Sequence, residues 1–277
     1  IKRANQDPDN LYMVCLDEMN LARVEYYFSE FLSKMETRRF KDGRIITDKL
    51  FSKNFFETEK DRNKYGELII PGNFYIVGTV NMDETTHPFS KKVLDRANTI
   101  EFSEVELSHY NLSDEEKEIN PLKGVKNDFL RADFLHLQNC PGDREDFISN
   151  IIDDLESINN ILQKANLHVG YRVRDEITFY MIYNDRYSLL KRNDAFDLQL
   201  MQKVLPRIQG SSGRIRDVLV ELFEFTAGKS FEEKINIGDE ALKYVKENND
   251  LSYPHSAAKV ADMIKKMEED RFTAYWI

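Results

Sequence analysis

Two short apolar runs, each ending abruptly in polar residues, constrain this chain more than any other feature. Leu11 to Leu16 stops at the acidic pair Asp17-Glu18, and Phe74 to Asn81 ("FYIVGTVN") stops at an amide. Runs of this length, flanked by polar residues, read as buried strands of a sheet. Between them Leu21, Val24, Phe28, Phe31, Leu32 and Met35 recur at spacings of three and four, which predicts one amphipathic helix over 21–35. Phe89 to Arg96 reads as a short helix and Asn98 to Phe102 as a third strand. Strand, helix, strand, short helix, strand is the order of an α/β fold with a mostly parallel sheet. Residues 40–73 are charged and broken by Gly43, Gly66, Pro71 and Gly72; Arg44 to Ile46 and Leu68 to Ile70 read as the two arms of a hairpin.

Beyond Glu104 the pattern changes. Residues 108–145 are polar and carry Pro121, Gly124, Pro141 and Gly142. Helical periodicity then covers Phe147–Gln163, Val173–Tyr183, Asp194–Val204, Gly213–Phe225, Phe231–Asn248 and Ser256–Asp270. The expected organisation is an α/β part over 1–107 followed by an all-α part over 108–277. Leu198, Met201, Val204 and Leu205 read as bundle core. Phe272, Tyr275 and Trp276 read as a tail docked on that bundle.

Charge narrows the function. The net charge of -10 opposes a chain that grips nucleic acid through its whole surface, because phosphate neutralisation supplies most of such affinity. No apolar run approaches the ~20 residues of a membrane span, and no basic-then-apolar leader opens the sequence. Cys15 and Cys140 give neither a disulfide framework nor metal-ligand spacing. Cys15 reads as a small buried residue, and a reducing, cytoplasmic setting is the expectation. His168 and His255 have no partners at ligand spacing.

The residues with chemistry sit where open α/β sheets bind ligands, at the carboxyl ends of strands. Asp17 suits a hard cation such as Mg²⁺, which takes oxygen ligands and keeps several waters. Glu18 beside it can polarise an attacking water. Taken alone, the pair is as readily an acidic helix start. Asn81 can position a water against a terminal phosphate, or simply form a turn. Arg96, just before the third expected strand, can reach a nucleotide held by a neighbouring subunit, or pair with Asp95 or Glu101.

In this order the residues resemble Walker B (Asp17, Glu18), sensor 1 (Asn81) and the arginine finger (Arg96) of AAA+ ATPases. "DEMNLARVEYYFSEFLSKME", "PGNFYIVGTVNMDETTHPFSKKVLDRANTIEF", "GYRVRDEI", "DLQLMQKVLPRIQG" and "YPHSAAKVADMIKKMEEDRFTAYW" are similar to the McrB-type AAA+ family, and the resemblance runs from Leu11 to Trp276. Members of that family are the nucleotide-hydrolysing subunits of modified-cytosine-dependent restriction systems and their relatives. The resemblance implies an incomplete parallel-sheet core of a P-loop NTPase, followed by a helical lid. It implies ATP or GTP as substrate with Mg²⁺, Asp17 holding the metal through water, Glu18 activating water, Asn81 facing the γ-phosphate and Arg96 reaching the neighbour's site. A lid arginine would come from Arg172, Arg174, Arg214 or Arg216. The implied partners are copies of itself in a ring, a hexamer by analogy, and an McrC-like nuclease subunit. DNA would be met mainly through an upstream domain, and no membrane is involved.

The sequence departs from the family pattern in two ways. It holds no GxxxxGK(S/T); "GSSGR" at Gly210 to Arg214 lacks the Lys-Ser/Thr pair and follows a helix. In AAA+ proteins that loop precedes Walker B, so the resemblance implies that it lies upstream of Ile1. Arg96 also stands alone between Asp95 and Ala97, where better-known members carry adjacent arginines. A MoxR-like chaperone ATPase and a non-hydrolysing AAA+ scaffold are the alternatives.

Overall fold

The computed structural model describes residues 1–52, 54–83, 85–103, 107, 126–140, 142–232 and 236–276. The chain forms two compact units: Ile1–Phe89 with Glu101–Leu135, and Ser90–Ile100 with His136–Ile277. Residues 90–100 cluster with the helical half. Residues 104–106 and 108–125, around the expected boundary, lie outside the described residues.

The first unit contains α1 (Lys2–Gln6), β1 (Tyr12–Leu16), α2 (Val24–Tyr27), α3 (Ser29–Met35), β2 (Arg39–Lys41), β3 (Arg44–Ile46), α4 (Glu59–Tyr65) and β4 (Phe74–Gly78). As the two apolar runs imply, β1 and β4 pair in parallel, with Tyr12 opposite Phe74 and Leu16 opposite Gly78. A small core of Ala4, Ile70 and Phe74 gathers Tyr12, Phe31, Met35 and Ile76 around it.

Four expectations need correction here. First, β1 is not buried: Met13 is 58% exposed, Val14 36%, and Cys15 is exposed too. Among the described residues this sheet has only two strands. One edge of β1 is therefore open, and the core covers mainly the strand's first residue. Second, the helix over 21–35 is broken into a 3-10 turn at Met19–Leu21, then α2 and α3. The break falls at Phe28 (φ -105, ψ 5), whose ring stacks on Phe31 at 4.6 Å. The preceding Val24, Tyr26 and Tyr27 lose side-chain freedom in a helix and favour it little.

Third, the hairpin partner of β3 is β2 and not residues 68–70. Asp42 (φ 50) and Gly43 (φ 72) both adopt positive φ, the signature of a two-residue type I′ turn. Leu68 and Ile70 instead bond to the chain after β3: Leu50 N donates to Leu68 O at 2.8 Å, and Ile70 N to Thr47 Oγ1 at 2.9 Å. Fourth, Asn98–Phe102 forms no strand. The Thr99 amide and hydroxyl both donate to Gln202 O, at 3.2 and 2.9 Å, so that segment bonds to a helical turn rather than to a sheet edge.

The second unit contains α5 (Lys91–Leu94), α6 (Glu145–Gln163), α7 (Tyr171–Tyr187), α8 (Arg192–Gln199), β5 (Gln209–Gly210), α9 (Gly213–Ala227), α10 (Ile237–Glu247), α11 (Pro254–Asp270) and β6 (Thr273–Ala274). The long helices fall close to their sequence positions because each carries an apolar stripe. Ile158, Ile177, Phe196, Leu222, Phe223 and Ile264 are the buried floor of one shared core. The turn after α8, Leu200–Val204, is π-helical, and α10 starts later than Phe231. β5 and β6 pair antiparallel and seat the C-terminal tail, with Tyr275 1% exposed. Two helix starts are capped from a distance. The Asp197 carboxylate accepts from His255 N and Ser256 N at 2.8 Å each, and Glu268 accepts from Gly238 N at 2.9 Å. Among the described residues no helix is long and apolar enough to cross a membrane.

Candidate functional site

Parallel pairing brings the ends of β1 and β4 together, and the ladder continues beyond them. Thr79 N donates to Leu16 O at 3.0 Å, and Met19 N to Thr79 O at 2.9 Å. Thr79 then works with its side chain. Its hydroxyl accepts from Glu18 N at 2.9 Å and donates to Asp17 Oδ1 at 2.5 Å. Glu18 is left-handed, at φ 49 and ψ 47. That conformation crowds a β-carbon and costs roughly 1 kcal/mol or more. Strain of this kind collects at functional sites.

Behind the acidic pair lies Asn20, fully buried. Its Nδ2 donates to Asn81 O at 2.8 Å and approaches Met82 Sδ at 3.6 Å, while its own carbonyl accepts from His87 N at 3.0 Å. Its Oδ1 is buried with no hydrogen-bond partner among the described residues. Asn81 O also accepts from Thr86 Oγ1 at 2.8 Å. Asp83 closes the next turn, accepting from the Thr85 hydroxyl at 2.7 Å and amide at 2.8 Å. Those bonds, the hydroxyl first, hold its carboxyl below the usual carboxylate value. Tyr27 OH donates to Met19 O at 2.9 Å, and burial pushes its phenol up.

The structure thus brings Asp17, Glu18 and Asn81 to one end of the β1–β4 pair, all three exposed. Thr79, Asn20 and Tyr27, which fasten them, escaped the sequence reading. Thr79 had a signal: it is the polar residue immediately beyond β4. Among the described residues no three His, Cys, Asp or Glu side chains converge. Two adjacent carboxylates offer oxygen ligands of the kind Mg²⁺ takes while it keeps several waters.

The arginines belong to the other unit. The Arg96 guanidinium donates to Lys92 O in α5. Burial first, then the charge of Arg172, make it less basic than an ordinary arginine, with Glu176 opposing. Arg96 and Arg172 are therefore neighbours. Lys203, 2% exposed in the π-helical turn, pairs with Glu176. Asp95, expected as a partner for Arg96, pairs with Arg207. Arg174 is taken up by Asp175 at 2.6 Å and lies over the Tyr171 ring at 4.9 Å. Arg216 pairs with Glu268 at 3.2 Å, and Arg214 is exposed at the start of α9.

A family model described as a domain of unknown function, DUF8727, matches residues 113–272. No curated protein and no solved structure matches the chain.

Proposed function

The chain belongs to the DUF8727 family, a domain of unknown function, and we propose that it is part of a Mg²⁺-dependent nucleoside-triphosphate hydrolase of the McrB-like AAA+ kind. One observation carries the reading. Two adjacent carboxylates and an amide, Asp17, Glu18 and Asn81, stand together at the carboxyl end of a parallel strand pair, with Glu18 in a strained conformation. Magnesium, when bound with ATP or GTP, supplies charge neutralisation at the phosphates. Asp17 would hold it through water. Glu18 orients and deprotonates the attacking water, and Asn81 aligns that water with the terminal phosphate. Arg96 acts on the site of a neighbouring subunit in a ring. Turnover drives remodelling or DNA translocation for a nuclease partner.

A second reading, a non-hydrolysing scaffold, is favoured by one observation: the Arg96 guanidinium turns to Lys92 O and neighbours Arg172 within its own unit. Phosphate release from ATP and from GTP by the full-length protein, with and without Mg²⁺, separates the two. Metal-dependent turnover of either nucleotide supports the hydrolase. Its absence with both supports the scaffold.

A further inference from the structure

We infer that Thr79 and Asn20 are positioning residues for this site, Thr79 for the carboxylates and Asn20 for the amide. The inference rests on the hydrolase reading above and extends it to two residues that never touch the reacting atoms.

A single hydroxyl at Thr79 serves both members of the acidic pair. It accepts the Glu18 amide and gives its proton to Asp17 Oδ1. The first bond stabilises the left-handed turn at Glu18. The second fixes one Asp17 oxygen and leaves the other for a ligand. A rotation at either residue would separate a metal ligand from a general base, and displacements near 1 Å can cost about 100-fold in rate.

Asn20 does the same for Asn81. Its Nδ2 holds the Asn81 carbonyl at 2.8 Å, and its backbone oxygen holds His87 N, so Asn81 and His87 are both tied to the turn that follows Glu18. The arrangement is costly. Asn20 is fully buried, and among the described residues its Oδ1 has no partner. A buried amide that leaves an acceptor unmet destabilises a fold. Leucine has the same branching and no polar atom to leave unmet. The choice of asparagine is explained by the carbonyl it holds.

The test uses the full-length protein with Mg²⁺ and ATP or GTP, whichever is turned over. Thr79→Val and Asn20→Leu are each expected to lower kcat about 10- to 100-fold with KM changed less than about 3-fold. Thr79→Ser restores most of the rate. Asn20→Leu melts at or above the wild-type temperature, which a merely structural role would not allow. Hydrogen exchange gives a readout independent of turnover: Glu18 N loses protection in Thr79→Val and keeps it in Thr79→Ser. Wild-type kcat in both Thr79→Val and Asn20→Leu, alongside a dead Glu18→Gln, would overturn this inference and leave the hydrolase reading intact. A lower Tm in Asn20→Leu, with kcat recovered on cooling, would overturn the role of Asn20. Absence of turnover in wild type would overturn the hydrolase reading, and this inference with it.

Discussion

Arg207 pairs with Asp95 inside the helical unit: the arginine side chain is 6% exposed and the aspartate 34%. The pair belongs to a set of contacts that fasten residues 90–100 to the helices. Lys91 Nζ donates to Asn166 O at 3.1 Å, Thr99 bonds to Gln202 O, and Val93 and Leu94 are buried. Arg96, the arginine proposed to act in trans, is therefore carried by the helical unit. Removing one partner of a fully buried ion pair costs about 3–5 kcal/mol. With Asp95 a third exposed, Asp95→Ala is expected to cost roughly 1–3 kcal/mol. Asp95→Leu with Arg207→Met should cost less than either single change. A double variant as unstable as the sum of the singles in urea unfolding contradicts the pairing.

Glu18 at φ 49 gives a prediction that turns on backbone alone. Glycine adopts that conformation without the β-carbon penalty, though it loses more entropy on folding. Glu18→Gly should be about 0.5–1 kcal/mol more stable than Glu18→Ala, with both inactive. Equal urea midpoints, or a more stable alanine variant, would show that the turn relaxes.

Gly238 tests how closely α10 and α11 pack. A β-carbon there would lie 2.6 Å from Lys265 Cα, against backbone that cannot yield without moving a helix. Gly238→Ala should therefore destabilise by about 1–3 kcal/mol despite the better helix propensity of alanine. A rise in Tm would contradict the close approach.

Asp83 sets a pH expectation. Its carboxyl is held below the ordinary 3.8, chiefly by the Thr85 hydroxyl and then by the Thr85 amide. A depressed folded-state value means that its contribution is present above pH 3.8 and is lost as pH falls through that lower value. Thr85→Val removes the largest cause, so the Asp83 titration should move up toward 3.8 and the loss begin at higher pH. Carbon-detected NMR titration of Asp83 in both proteins reads this. An unchanged midpoint in Thr85→Val would contradict it.

The sequence made legible what repeats along the chain. Stripes at helical spacing located the long helices, and the two apolar runs located β1 and β4 with their shared parallel direction. It misled where a local pattern had competing partners. Asn98–Phe102 has the apolar character of a strand, yet Thr99 bonds to the carbonyl that the π-helical turn leaves at Gln202. The β2–β3 hairpin was announced by Asp42-Gly43, a turn signal that outranks the apolar content of 68–70. At the site, the pattern singled out Asp17, Glu18 and Asn81 because they end apolar runs. The fasteners Thr79 and Asn20 act through one hydroxyl and one amide across about sixty residues of chain, and no periodicity encodes such a bond. The pairing of Arg207 with Asp95 and the caps from Asp197 and Glu268 were hidden for the same reason.

The most direct measurement is a paired one on full-length Glu18→Gln and wild type: equilibrium nucleotide binding and steady-state phosphate release, both with Mg²⁺. The account predicts that the variant binds ATP or GTP within a few-fold of wild type and releases phosphate at least about 100-fold more slowly. Phosphate release at the wild-type rate in Glu18→Gln would contradict it, because the general base would then lie elsewhere.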